Sequence, residues 1–106
     1  MKHYLLYGVS ARSLTDARLR IEGVLDVVLA PHHSGYRGGD YFRVGLDDEE
    51  HLIVMRNYDD EFEHAWAEHA HATFPFLLYI NETDATATHW SARLVDVAVL
   101  LRAEEA

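Results

Sequence analysis

Apolar residues in this chain come in short runs, none approaching the roughly 18 residues needed to cross a bilayer as a helix. Six runs read as strands: "HYLLYGVS" (3–10), "DVVLAP" (26–31), "YFRVGL" (41–46), "HLIVMRN" (51–57), "FPFLLYIN" (74–81) and "VDVAVLLRA" (95–103). Aromatic and branched residues bounded by glycine, proline, asparagine or serine favour the extended backbone. Two helical segments interrupt them. "SLTDARLRIEGVL" (13–25) has Ser13 as N-cap, with Asp16 three residues on. Leu14, Ala17, Ile21, Val24 and Leu25 recur along one face of that helix. "ETDATATHWSARL" (82–94) predicts the second helix, with Ala85, Thr88, Ala92 and Val95 on one face and Trp90 and Leu94 beside it.

The resulting order is β-α-β, a hairpin across "DDEE", then β-α-β. Right-handed crossovers put both helices on one face of a single mixed sheet. The expectation is a two-layer α/β (α+β) sandwich on a ferredoxin-like plan with an added hairpin, its second sheet face bare unless something covers it. With 106 residues the chain is expected to be one domain over 1–106, a monomer or weak homodimer. "HHSGYRGGD" (32–40) reads as the main loop, and "YDDEFEHAWAEHAHAT" (58–73) as either a ragged helix or an ordered loop.

Charge narrows the function classes. A net charge of −9 opposes phosphate backbones and favours cationic partners, so nucleic acid is not an expected ligand. The acids are also concentrated. Asp47, Asp48, Glu49, Glu50, Asp59, Asp60, Glu61, Glu63 and Glu68 are half of the chain's 18 Asp and Glu, against Arg56 alone in that stretch. Absence of cysteine removes disulfide and thiolate chemistry and fits a reducing cytosol, and no leader or membrane span is expected.

Three chemistries compete for the acidic stretch. A shared metal is excluded by length, because a seven-residue strand of roughly 23 Å separates the clusters and ligands must lie within about 2.6 Å of an ion. Histidine offers His64, His69 and His71 in "HAWAEHAHA", with His32 and His33 as a nearby possibility, but no H-E-x-x-H. Solvated histidines fit as well, and no metal or other cofactor is assigned. A small-molecule or enzymatic reading centres on "SGYRGGDYFR", where Tyr36, Arg37, Asp40, Tyr41 and Arg43 surround a glycine turn. The same glycines explain themselves as a turn with positive φ. No phosphate loop, nucleophile elbow or cysteine nucleophile is present, so no catalytic residue is assigned. An enzyme predicts that Arg37, Asp40, Arg43 and a histidine converge in one cleft.

The remaining chemistry is docking of a basic partner. Tyr58, Phe62 and Trp66 are interleaved with the acids, a composition suited to a protein interface. The candidate contact residues are Asp47, Asp48, Glu49, Glu50, Tyr58, Asp59, Asp60, Glu61, Phe62, Glu63 and Trp66. Two blander readings stay open: Phe62 and Trp66, four apart, as the buried face of a short helix, and the carboxylates as a solvated loop.

Across "GYRGGDYFRVG" (35–45), "VMRNYDDEFE" (54–63) and "FPFLLYIN" (74–81), roughly the central half, the chain resembles small bacterial immunity proteins that neutralise polymorphic or contact-dependent growth-inhibition toxins. The resemblance implies a cytoplasmic, non-enzymatic inhibitor and a cognate toxin whose C-terminal domain is basic, often a nuclease. It carries no functional residue across.

Overall fold

A computed structural model describes residues Met1–Ala106. Its elements are β1 (His3–Val9), α1 (Leu14–Leu25), β2 (Ala30–Ser34), β3 (Gly39–Val44), β4 (His51–Arg56), β5 (Tyr58–Asp59), β6 (Ala65–Trp66), β7 (Phe76–Thr83), α2 (Ala87–Leu94) and β8 (Ala98–Glu105). Single 3₁₀ turns lie at Gly35–Arg37 and His69–His71. No helix is long and apolar enough to cross a membrane.

The fold is α+β, a six-stranded sheet in the order β2-β3-β4-β7-β1-β8 with two helices, and β5–β6 forms a separate ladder. Each crossover, β1-α1-β2 and β7-α2-β8, joins strands that run the same way. Other strands are slotted between them, so every neighbouring pair is antiparallel. The run β8-β1-β7-β4 has the strand order of a ferredoxin-like sheet, and the β2–β3 hairpin extends it past β4.

Alternation sorts the side chains. Leu5, Tyr7, Val9, Leu52, Val54, Phe76, Leu78 and Ile80 face the helices and pack with Leu14, Ala17, Ile21, Leu25, Trp90 and Leu94. Both helices therefore cover one sheet face. Ser13 caps α1 by accepting the Asp16 N–H at 3.0 Å, and the expected apolar stripe is buried apart from half-buried Val24.

Four local expectations change. "DVVLAP" is not a strand: Asp26 adopts a left-handed conformation (φ 55°) to close α1. The Glu22 carboxylate then holds the Leu29 N–H at 2.7 Å, and the strand starts only at Ala30. Most of the expected loop at 32–40 is accordingly hairpin, with His32 paired to Tyr41 and His33 to Asp40. Helix α2 starts at Ala87, capped by Thr86, and buries Trp90 and Leu94, while Thr88, Ala92 and Val95 are exposed. Its phase is set by the Trp90 indole N–H, which donates to Thr83 Oγ1 at 3.1 Å. Finally, 58–73 is neither helix nor plain loop but the β5–β6 ladder followed by a 3₁₀ turn.

The second sheet face is covered. Leu6, Ile53, Met55 and Leu77 form a small buried cluster there, flanked by Tyr41, Tyr79 and Leu101. The segment between β4 and β7 folds back over this face from Asn57. The Asn57 side-chain amide donates to the carbonyls of His71 (3.0 Å) and Phe74 (2.9 Å), and its Oδ1 accepts the Glu68 N–H (2.9 Å). Phe74 sits against Gly8, where a Cβ would strike the ring.

The sheet edges differ. β2 carries Pro31, which lacks an N–H, whereas β8 offers eight residues without proline, with Val99 and Leu100 exposed.

Candidate functional site

The acidic-aromatic stretch takes its shape from Asp59. This residue is buried, and its carboxylate accepts the N–H groups of Glu61 (3.0 Å), Phe62 (2.9 Å) and Glu63 (3.0 Å). These donors, Phe62 first, hold the Asp59 carboxyl below the usual range, although burial pulls the other way. Asp59 thus builds the turn and is removed from the exposed contact surface that the sequence suggested. His64, left-handed at φ 50°, leads the chain into β6.

The turn displays what lies outside it. Asp60, Glu61, Glu63, Tyr58, Phe62 and Trp66 are exposed. Tyr58 and Trp66, paired across the ladder, meet edge to face at 4.9 Å. Phe62 and Trp66 therefore do not form one buried helical face. Close docking of the turn against the β2–β3 hairpin depends on Gly38 and Gly39. Both have positive φ, Asp59 lies against Gly38, and a Cβ on Gly39 would reach the Glu61 carboxylate. Phe62 also rests edge-on against His33 at 5.9 Å.

The two regions singled out separately in the sequence, the glycine turn and the second acidic cluster, thus meet. Between them is a cleft of about 260 Å³ lined by Tyr36, Met55, Arg56, Glu63 and Trp66 among others. Tyr36, 98% exposed, stands at its rim. Sequence reading missed Met55 and Arg56, since neither a buried strand methionine nor a strand-end arginine carries a distinguishing signal.

The first acidic cluster lies at the opposite end of β4 and is largely engaged locally. Asp47 pairs with Arg43 at 2.6 Å, which holds its carboxyl below the usual range. Glu49 accepts the Leu46 N–H, and Glu50 accepts the Thr83 hydroxyl. All four are exposed, and Asp48 has no such partner. Asp47, Asp48, Glu49 and Glu50 do not share a surface turn with Asp60–Glu63, and contribute to the field from a distance.

The alternative set does not assemble. Asp40 bonds His33 at 2.9 Å, whereas Arg43, three residues along the strand and so on its other face, turns to Asp47 and the Gly45 carbonyl. Arg37 lies 6.0 Å from the Tyr79 ring centre. His64, His69 and His71 belong to no group of three or more side chains able to hold a metal.

A half-buried contact also fastens the overlying segment. Glu68 accepts the Tyr79 hydroxyl at 2.6 Å and pairs with Arg102 at 3.0 Å. Burial pulls the Glu68 carboxyl up, but Tyr79 and Arg102 together outweigh it and hold it below the ordinary range. A depressed carboxylate stabilises the fold at neutral pH and loses that contribution as pH falls through its folded value. The unfolding midpoint should therefore fall on acidification below about pH 4.3. Glu68→Gln should lower stability at pH 7 and make the acid limb shallower; a parallel acid limb in parent and variant would show that this contact carries none of it.

Comparison with protein-family models, curated proteins and solved structures finds no match in any of the three.

Proposed function

We propose that this protein is a non-enzymatic inhibitor that acts in the cytoplasm as an immunity protein, neutralising a basic toxin domain by docking it on an acidic, aromatic surface. One observation carries the reading. Asp60, Glu61 and Glu63 project from a single rigid turn beside exposed Tyr36, Tyr58, Phe62 and Trp66. Aromatic anchors surrounded by one sign of charge match the physics of an interface, in which rings supply buried area and carboxylates steer the encounter. Rigidity adds to it, because a turn held by the Asp59 carboxylate loses little freedom on binding. The net charge of −9 favours a cationic partner. An inhibitor that must reach its toxin before damage is done gains from the rapid association such a field gives, up to about 10⁸–10⁹ M⁻¹s⁻¹ at low salt.

Affinity capture from native lysate at low and high salt tests the reading, using the parent and the triple variant Asp60→Lys, Glu61→Lys, Glu63→Lys. Asp59 stays in place so that the turn keeps its shape. The parent should retain a stoichiometric basic protein that is lost as salt rises. Association of that protein with the variant should slow by about 10-fold or more, with a flatter salt dependence. An association rate indifferent to the three reversals would remove the acidic turn from the mechanism.

A further inference from the structure

The cleft between the 3₁₀ turn and the β5–β6 ladder has a chemistry more specific than negative charge. At about 260 Å³ it falls below the roughly 300–1,000 Å³ of small-molecule sites, and it is the right order of size for one long side chain. Trp66 gives it an aromatic wall, Tyr36 an aromatic rim, and Met55 lies on its lining. Aromatic faces carry negative quadrupole density and attract cations. Glu63 shares the lining, and although its N–H joins the Asp59 network, its carboxylate enters none of the chain's nine salt bridges. A second hollow of about 450 Å³ adjoins the first and shares Gly35, Tyr36 and Glu63 with it, so Tyr36 and Glu63 stand between the two. Arg56 is the only cation on the lining, set against the carboxylates of Glu63 and the inward-turned Asp59.

We propose that this cleft receives one arginine side chain of a basic protein partner, its guanidinium held against Tyr36 and Trp66 and paired with Glu63. The proposal rests on the reading of the protein as a binder of basic partners and adds the recognition chemistry. Arginine fits better than lysine because a planar guanidinium can stack on a ring while its fork bonds both oxygens of a carboxylate. Arg56 opposes an incoming cation, so its removal should tighten the site.

A blocked arginine, Nα-acetyl-arginine methylamide, titrated into ¹⁵N-labelled protein tests the site without needing the partner. Saturable shifts are expected at the Trp66 indole N–H and the Gly35 and Gly38 amides, with a dissociation constant on the order of millimolar. Tyr36→Ala and Glu63→Gln, at exposed positions, should each weaken binding about 3- to 10-fold, and Arg56→Gln should tighten it about 2- to 3-fold. The citrulline analogue, equal in shape but neutral, should bind at least about 10-fold more weakly. Non-saturating shifts, citrulline binding equal to arginine, or an unchanged constant in Tyr36→Ala and Glu63→Gln would overturn the proposal. Lysine binding as tight as arginine would overturn the guanidinium assignment. A captured basic partner indifferent to Tyr36→Ala would sink the cleft and leave the inhibitor reading standing. Arginine binding in a protein that captures no basic partner would do the reverse.

Discussion

Asn57→Ala should destabilise the protein by about 3–4 kcal/mol, read as a lower urea midpoint at unchanged m-value. The side chain is fully buried and makes three hydrogen bonds, to His71, Phe74 and Glu68. Alanine removes all three at once and strands the Phe74 carbonyl and the Glu68 N–H beneath the covering segment, each costing about 1–3 kcal/mol when left dry, while the His71 carbonyl keeps the Phe74 N–H. Partial entry of water keeps the total below the sum. The loss should be regional. Amides of Ala67 and Glu68, which bond the Asn57 carbonyl and Oδ1, should exchange faster by more than those of the central strands β1 and β7. Asn57→Asp keeps the acceptor but turns an anionic oxygen toward two carbonyls, so it should be at least as damaging at neutral pH. A change below about 0.5 kcal/mol, the size of an ordinary surface substitution, would mean that something else holds the segment down.

Gly45→Ala should cost about 2–4 kcal/mol. Gly45 adopts φ 91°, a region that penalises a Cβ by about 1–2 kcal/mol. The added carbon would also drive into the Glu50 carbonyl and lie 2.9 Å from the Cα of His51, both on backbone that cannot swing away. Overpacking of this kind adds about 1–3 kcal/mol. Gly23→Ala is the matched control. Gly23 is exposed in α1 with nothing near its missing Cβ, so alanine there should stabilise by about 0.5–1 kcal/mol. Thermal unfolding of the two variants should therefore move in opposite directions. A neutral Gly45→Ala would mean that the β3–β4 turn yields more readily than its contacts imply.

Strands were legible where both faces are buried. "LLYGV", "LIVM" and "FLLYI" are continuous apolar runs because one side of each strand meets the helices and the other meets the covering segment. β2 was missed for the complementary reason: at an edge, "APHHS" is exposed except for half-buried Ser34 and carries neither a run nor an alternation. The phase of α2 escaped because its alanines and threonines outnumber its anchors, and a single indole bond to Thr83 decides which side faces in. The segment after β4 was illegible in principle. Asn57 and Asp59 shape it through bonds from side chain to backbone, which leave no periodic trace. The candidate site followed the same division. Tyr58, Asp60, Glu61, Phe62, Glu63 and Trp66 are outward as their composition suggested, while Asp59, chemically indistinguishable from Asp60 in the sequence, points inward.

The unequal edges of the sheet bear on how copies of this chain can associate. Strand addition copies itself indefinitely only when each new unit presents a fresh open edge of the kind just used. Here β8 is open and β2 is interrupted at Pro31. Two molecules joined β8 to β8 would each have consumed their receptive side and would present only the two proline-bearing borders. Concentrating the protein should therefore take edge-to-edge association no further than a closed pair, with the sheet itself acting as a chain terminator against fibre growth.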